Sequence, residues 1–250
     1  MTIKNHEVIN LLNSLRLSGV SEILDETIDA AIAEGLTYAS FLEKLLEFEI
    51  QGRDARRKQR LLKASCLPYD KTLDLLDLKE LPEKVRHKIK SLCDGSFVDR
   101  CENILVFGLP GRGKTHIVCA IGHKLTTLGF KVLFISTFKL VQRLLVAKKN
   151  IALEQELKKL DRFDVVILDD IGYTQQDHNE MDVLFTFLGE RYERKPVMIT
   201  SNLVFSQWDK IFKDTMTTSA AIDRVVHHSV ILEINTKKSY RLKQAGKVTV

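Results

Sequence analysis

The stretch from Ile104 to Thr115, read as Ile-Leu-Val-Phe-Gly-Leu-Pro-Gly-Arg-Gly-Lys-Thr, narrows the folds open to this chain more than any other. Its first four residues are all apolar and predict a buried strand, and Gly108 to Thr115 fit the phosphate-loop pattern GxxxxGK[ST]. Glycine at 108, 111 and 113 lets the backbone turn where a Cβ would obstruct it, so that consecutive N–H groups can wrap a polyphosphate at the start of the next helix. Gly108, Leu109, Pro110, Gly111, Arg112, Gly113, Lys114, Thr115 and His116 are therefore the candidate ATP-binding residues. Lys114 would reach the β- and γ-phosphates, and the Thr115 hydroxyl would ligate Mg²⁺.

The chain beyond the loop predicts an α/β nucleotide-binding sheet. A helix runs from Gly113 to about Leu128 and stops at Gly129, and Lys131 to Ser136 form a strand. Thr137 is the expected N-cap of a helix from Phe138 to Lys149, and a turn at Lys148-Lys149-Asn150 leads into a further helix from Ile151 to Leu160. Val165 to Leu168 are again all apolar, as in a strand buried on both faces, and end in Asp169-Asp170. Carboxylates at the carboxyl end of such a strand stand where open parallel sheets bind ligands. Asp169 is the candidate Mg²⁺ ligand, and Asp170 the candidate base that orients and polarises the attacking water. Another strand, Pro196 to Thr200, ends in Ser201-Asn202. Inserted between the loop strand and the aspartate strand, it would make Asn202 a polar sensor of the attacking water or the γ-phosphate.

The part ahead of the loop is helical and basic. Val8, Ile9, Leu11, Leu12 and Leu15 recur at helical spacing, and Ser21 to Glu34 form a second amphipathic stretch ended by Gly35. Thr37 is the expected N-cap of a longer third helix that turns basic and continues to Pro68. Between Gln51 and Lys63 lie six basic residues against one acid, and this concentration accounts for the whole formal net charge of +5. Arg53, Arg56, Arg57 and Arg60 fall on one face, a pattern suited to a phosphate backbone. Tyr69 to Leu81 read as a linker that partly packs on the core, and Glu83 to Leu92 as a short helix opened by Pro82. The expected organisation is a helical DNA- or partner-binding domain over residues 1–67, a linker over 68–95 and an ATPase domain over 96–250.

Composition removes several classes. No apolar run nears the roughly 18 residues of a membrane span, and the polar N-terminus is not a secretory signal, so the expected location is cytoplasmic. Cys66, Cys93, Cys101 and Cys119 show no CxxC spacing, which argues against zinc-finger and disulfide frameworks. A small-molecule kinase shares the phosphate loop but has no use for the basic helix or the sensor strand.

Together, the loop run ending in His116, the Leu168-Asp169-Asp170-Ile171-Gly172-Tyr173 run, Gly189-Glu190-Arg191-Tyr192-Glu193, Ile199-Thr200-Ser201-Asn202-Leu203 and Ala221-Ile222-Asp223-Arg224 resemble the IstB/DnaC group of AAA+ ATPases, nearest to IstB, over essentially the whole chain. The resemblance implies an α/β P-loop sheet flanked by helices, a small all-helical N-terminal domain and no full lid domain. It further implies an Mg²⁺-dependent ATPase that assembles as a homo-oligomer on duplex DNA, with ATP between subunits, and assists a transposase in target selection and insertion. Within this resemblance Arg224 matches an arginine finger extended into the neighbouring subunit, and Arg241 matches a second sensor arginine acting within its own chain. Lys148 and Lys149 sit where related loaders carry a DNA-contacting insertion. A helicase loader acting on single-stranded DNA is the alternative within the same group.

Overall fold

The computed structural model describes residues 3–172, 178–203, 208 and 225–234, and the chain divides into two units, Met1–Arg60 and Leu61–Val250. The first unit contains helices α1 (Ile3–Ser14) and α2 (Ser18–Glu34) and most of α3 (Tyr38–Ala64). Thr37 caps α3 as expected, its Oγ1 accepting the Ser40 N–H at 3.2 Å. Val20, Leu24 and Leu45 form the buried centre of this unit, flanked by Ile9, Leu12, Ile28 and Phe41.

Helix α2 starts at Ser18, ahead of the predicted Ser21, because a residue distant in sequence caps it. Leu17 at the N-cap offers no side-chain acceptor. Glu49 of α3, only 2% exposed, accepts the N–H groups of Gly19 at 2.7 Å and Val20 at 3.2 Å instead. Its carboxylate thereby satisfies orphan donors of the first turn and faces the positive end of the helix dipole. A Cβ on Gly19 would lie 2.7 Å from Glu49 Oε2, so this close approach requires glycine. Glu49 also accepts from Arg53 Nε at 2.8 Å and Arg56 Nη2 at 3.4 Å. Burial by itself would raise the Glu49 carboxyl, but Arg53 and the two amides outweigh it and hold the group below its ordinary range.

The second unit is built on a parallel sheet of five strands in the order β2-β3-β4-β1-β5. The strands are β1 (Asn103–Gly108), β2 (Val132–Ser136), β3 (Val165–Ile171), β4 (Val197–Ser201) and β5 (Ser229–Ile234). Strand β4 is inserted between β1 and β3, as the sequence predicts. The strand period of two sends alternate residues to opposite faces. Ile104, Val106, Ile167 and Met198 join the core formed with α4 (Glu83–Leu92) and α6 (Lys114–Thr127). Leu105, Phe107, Val166, Leu168 and Ile199 join the core formed with α7 (Thr137–Lys149), α8 (Leu153–Leu160) and α9 (His178–Arg191). Both faces are covered, which is why the central strands read as unbroken apolar runs.

Two local readings are corrected. Ser136, not Thr137, caps α7, accepting the Lys139 N–H at 3.4 Å, and Thr137 Oγ1 donates to the Asp169 carbonyl at 3.1 Å. Helix α8 begins at Leu153, not Ile151, because Ile151 takes a left-handed φ of 54°. The helix expected over Glu83–Leu92 is α4, and the segment before it packs on the core as expected, with Leu76, Leu81, Val85, Ile89 and Leu92 buried on the α6 side. His116 and His123 fasten the start of this segment, each Nε2 lying 2.9 Å from a carbonyl oxygen, of Thr72 and Pro68 respectively. A short helix, α5 (Ser96–Asp99), then leads into β1.

Buried Arg191 closes the α9–β4 corner. Its guanidinium donates to the carbonyls of Phe163, Asp164 and Pro196 at 3.1–3.3 Å. Burial pulls its pKa down to about 10.

Candidate nucleotide-binding site

The phosphate loop leaves β1 at Gly108 and enters α6 at Lys114. Gly111 and Gly113 have φ of 75° and 87°, left-handed values that a side chain would strain, and Gly113 is the N-cap of α6. The loop's N–H groups are thus gathered at the positive end of a helix, ready for an anion. Lys114 is 8% exposed and donates from Nζ to the carbonyls of Gly108 at 2.7 Å and Leu109 at 3.2 Å, which holds its ammonium inside the loop.

Beside the loop, β3 ends in an irregularity. Leu168 pairs with Ile199 and Ile171 with Ser201, so β3 carries one extra residue at Asp169-Asp170. Such a bulge re-aims side chains. Asp169 Oδ1 accepts from Thr115 Oγ1 at 2.9 Å and from Thr200 Oγ1 at 2.7 Å. Thr200 Oγ1 in turn accepts the Asp170 N–H at 2.8 Å, which fixes the backbone between the two acids. Asp170 is exposed, with a left-handed φ of 64°, strain of the kind found at functional sites.

These groups open onto a cleft of about 560 Å³ lined by the loop from Pro110 to His116, Asp169, Asp170 and Asn202, and on another side by Asp70, Lys71, Leu75 and Leu76. Its size suits a nucleotide-sized ligand. Arg112 and Asn202 both line this cleft, and among the described residues the buried atoms Asn202 Oδ1 and Arg112 Nη1 have no hydrogen-bond partner. Thr115 Oγ1 and Asp169 Oδ1 are the oxygen donors that could hold a cation.

Sequence reasoning anticipated the loop, Asp169, Asp170 and Asn202 as neighbours, and the structure brings them together. It missed Thr200, whose role depends on β4 lying next to β3, and it missed the contribution of residues 70–76. The Ile-Thr-Ser-Asn run held the only sequence signal for Thr200. Arg224 and Arg241 lie outside the described residues. Of the basic candidates, Arg53 and Arg56 are bound to Glu49, and Arg53 Nη2 also donates to the Arg16 carbonyl at 2.9 Å. Arg57 and Arg60 are exposed on α3. Lys148 pairs with Asp182 at 3.6 Å, and Lys149 is exposed beside it. No helix among the described residues is long and apolar enough to cross a membrane.

The profile of the family described as IstB-like ATP binding protein matches residues 10–248. A protein from Sinorhizobium fredii, named as an insertion-sequence ATP-binding protein, is 40% identical over 94% of this chain and 79% of its own length. One from Pseudomonas aeruginosa, named for insertion sequence IS21, is 36% identical over 98% of this chain and 92% of its own. Among solved structures, AMPPCP-bound DnaA from Aquifex aeolicus superposes with a TM-score of 0.58 at 18% identity, over 73% of this chain and 56% of that one. The DnaC helicase loader superposes with a TM-score of 0.55 at 18% identity, over 67% of this chain and 98% of that one. The structural likenesses show a shared fold, and the sequence relatives and the profile show that this chain belongs to the IstB-like ATP-binding protein family of insertion sequences.

Proposed function

We propose that this chain is an Mg²⁺-dependent ATPase that assembles on duplex DNA and assists the transposase of its insertion sequence in target selection and insertion. The observation that carries the catalytic part is the arrangement of Thr115, Asp169 and Thr200, joined through Asp169 Oδ1 at the edge of the phosphate loop, with Asp170 and Asn202 lining the same cleft. Hard oxygen donors suit Mg²⁺, so Thr115 and Asp169 would hold the ion, which when bound would offset charge on the phosphate oxygens. Lys114 and Arg112, which both line the cleft, would supply donors for the same oxygens.

In hydrolysis the water oxygen attacks the γ-phosphorus, the bond to the β–γ bridging oxygen breaks, and ADP leaves with that electron pair. Asp170 accepts one proton of the water, and Asn202, which lines the same cleft, would orient the water. Arg224 completes the site of a neighbouring subunit, and Arg241 acts on nucleotide in its own chain. Both roles rest on motif resemblance, as does assembly with ATP between subunits.

The DNA part is supported by the insertion-sequence relatives and by the exposed basic stretch of α3, with Lys148 and Lys149 as second candidates. The test is binding of duplex and single-stranded DNA with and without ATP, alongside phosphate release by the wild type and Asp170→Asn. Duplex binding that depends on ATP, with turnover lost in the variant, is the expected result. Binding confined to single strands would favour a helicase loader, and unchanged turnover in Asp170→Asn would remove it as the base.

A further inference from the structure

At the end of the sheet away from the phosphate loop, two turns bring together three side chains that the nucleotide reaction does not use. Glu193 comes just after α9, and His227 and His228 immediately precede β5. Their ligand atoms all lie within 4.8 Å of one another, and all three residues are exposed. His228 Nε2 is 3.5 Å from Glu193 Oε1, and the two imidazole rings are 4.5 Å apart, edge to face.

We propose that Glu193, His227 and His228 form a binding site for a divalent transition metal of the Zn²⁺ class. Two imidazoles and one carboxylate are a donor set that Zn²⁺ takes, and Mg²⁺, which prefers oxygen and water, does not suit it. With bonds of about 2.0–2.1 Å, tetrahedral ligand atoms stand roughly 3.3 Å apart, so modest side-chain rotation closes the present spacing. Three protein ligands leave a coordination position for water or another group.

The main chain that carries these ligands is held in place without the metal. Asn103, at the start of β1, donates its backbone N–H to the His228 carbonyl at 2.7 Å and its Nδ2 to the Val225 carbonyl at 3.1 Å. The Asn103 Oδ1 accepts the Val197 N–H at 2.9 Å, which fastens the same residue to the start of β4. On the other side, Glu193 adopts a left-handed φ of 55° in a turn where the N–H groups of Arg194 and Lys195 both donate to the Arg191 carbonyl at 3.0 Å. Little backbone ordering is left for metal binding to bring about, the condition under which a small set of ligands binds usefully. Asn103 pairs with Ser229 and Gly108 with Ile234, so the site lies a full strand length, roughly 17 Å, from the phosphate loop. Its occupancy therefore reads out separately from ATP.

The test uses the full chain, stripped with a chelator and titrated with ZnCl₂ in the absence of nucleotide and Mg²⁺, by calorimetry and by competition with a chromogenic chelator. One equivalent should bind, raise the melting temperature by mass action, and weaken at least tenfold in each of His227→Ala, His228→Ala and Glu193→Gln. Cys66→Ser and His87→Ala should leave it unchanged. Circular dichroism and retained nucleotide binding would show that the variants fold, and Co²⁺ in the wild type should give the visible absorption of a low-coordinate imidazole site. Zinc affinity that is equal in the wild type and in the paired His227→Ala, His228→Ala variant would overturn the proposal. So would the absence of stoichiometric binding at micromolar zinc.

Discussion

Replacing Glu49 by Gln is expected to loosen the N-terminal helical unit and leave the nucleotide cleft unaltered. The Glu49 carboxylate, 2% exposed, accepts two amides of α2 and two guanidinium groups. Glutamine keeps the shape but has one acceptor oxygen, so its NH₂ must face either the Gly19 and Val20 amides or the arginines. Removing one partner of a buried pair costs about 3–5 kcal/mol. Arg53 and Arg56 are about half exposed and recover hydration, so about 2–3 kcal/mol is the expected loss. A unit of this length has on the order of 3–9 kcal/mol in all. Hydrogen exchange should therefore accelerate on the order of 30- to 150-fold across α1 and α2 if exchange proceeds through unfolding of this unit.

The pH dependence carries the sign. The folded-state pKa of Glu49 is depressed, so its contribution is fully present above the ordinary carboxylate value of 4.5 and is lost as pH falls through the lower folded value. The wild-type helices should become less protected below about pH 4.5, and the Gln variant should lack that component. Equal exchange in the two proteins at pH 7, with parallel acid profiles, would refute the capping role.

Lys114→Ala should abolish productive ATP binding, measured with a fluorescent nucleotide, because the ammonium held inside the loop is lost. Asp170→Asn should keep nucleotide affinity while phosphate release slows by on the order of 10²–10⁴. Thr200→Val should slow turnover with little change in nucleotide affinity, since it removes the donor to Asp169 and the acceptor for the Asp170 amide. Steady-state kinetics with an unchanged kcat would show that this link is dispensable. Arg57→Ala combined with Arg60→Ala should weaken binding to all duplexes alike and lower the salt slope by about 1.8 if each arginine contacts one phosphate. Arg53→Ala should instead destabilise the helical unit through Glu49, a difference that thermal melts can read.

Features written in consecutive residues were legible without coordinates. Unbroken apolar runs mark strands covered on both faces, and helical spacing marks α1 to α3. The loop from Gly108 to Thr115 also specifies its own conformation, because glycines permit its turns and the helix after it supplies its polarity. The aspartate pair, Asn202 and the order of elements were readable from these, as was the family. Errors fell at element ends, where one left-handed residue such as Ile151 or a serine placed one position earlier decides the start of a helix.

Packing alone decided the meetings between distant residues. Glu49 caps a helix some 30 residues earlier because a glycine lets the two backbones come close. Thr200 reaches the Asp169 carboxylate and the Asp170 amide because β4 lies beside β3, whose register shifts at the two acids. The basic face of α3 reads as four equivalent arginines in sequence, yet two of them bind the buried Glu49. Glu193 meets His227 and His228 only because Asn103 holds the starts of β4 and β5 together. The sequence by itself determined the fold class and the phosphate chemistry, because both depend on local backbone freedom and apolar period. Tertiary structure decided which charged and polar groups are partnered, because a side chain's partner is set by burial and by the strand or helix placed next to it.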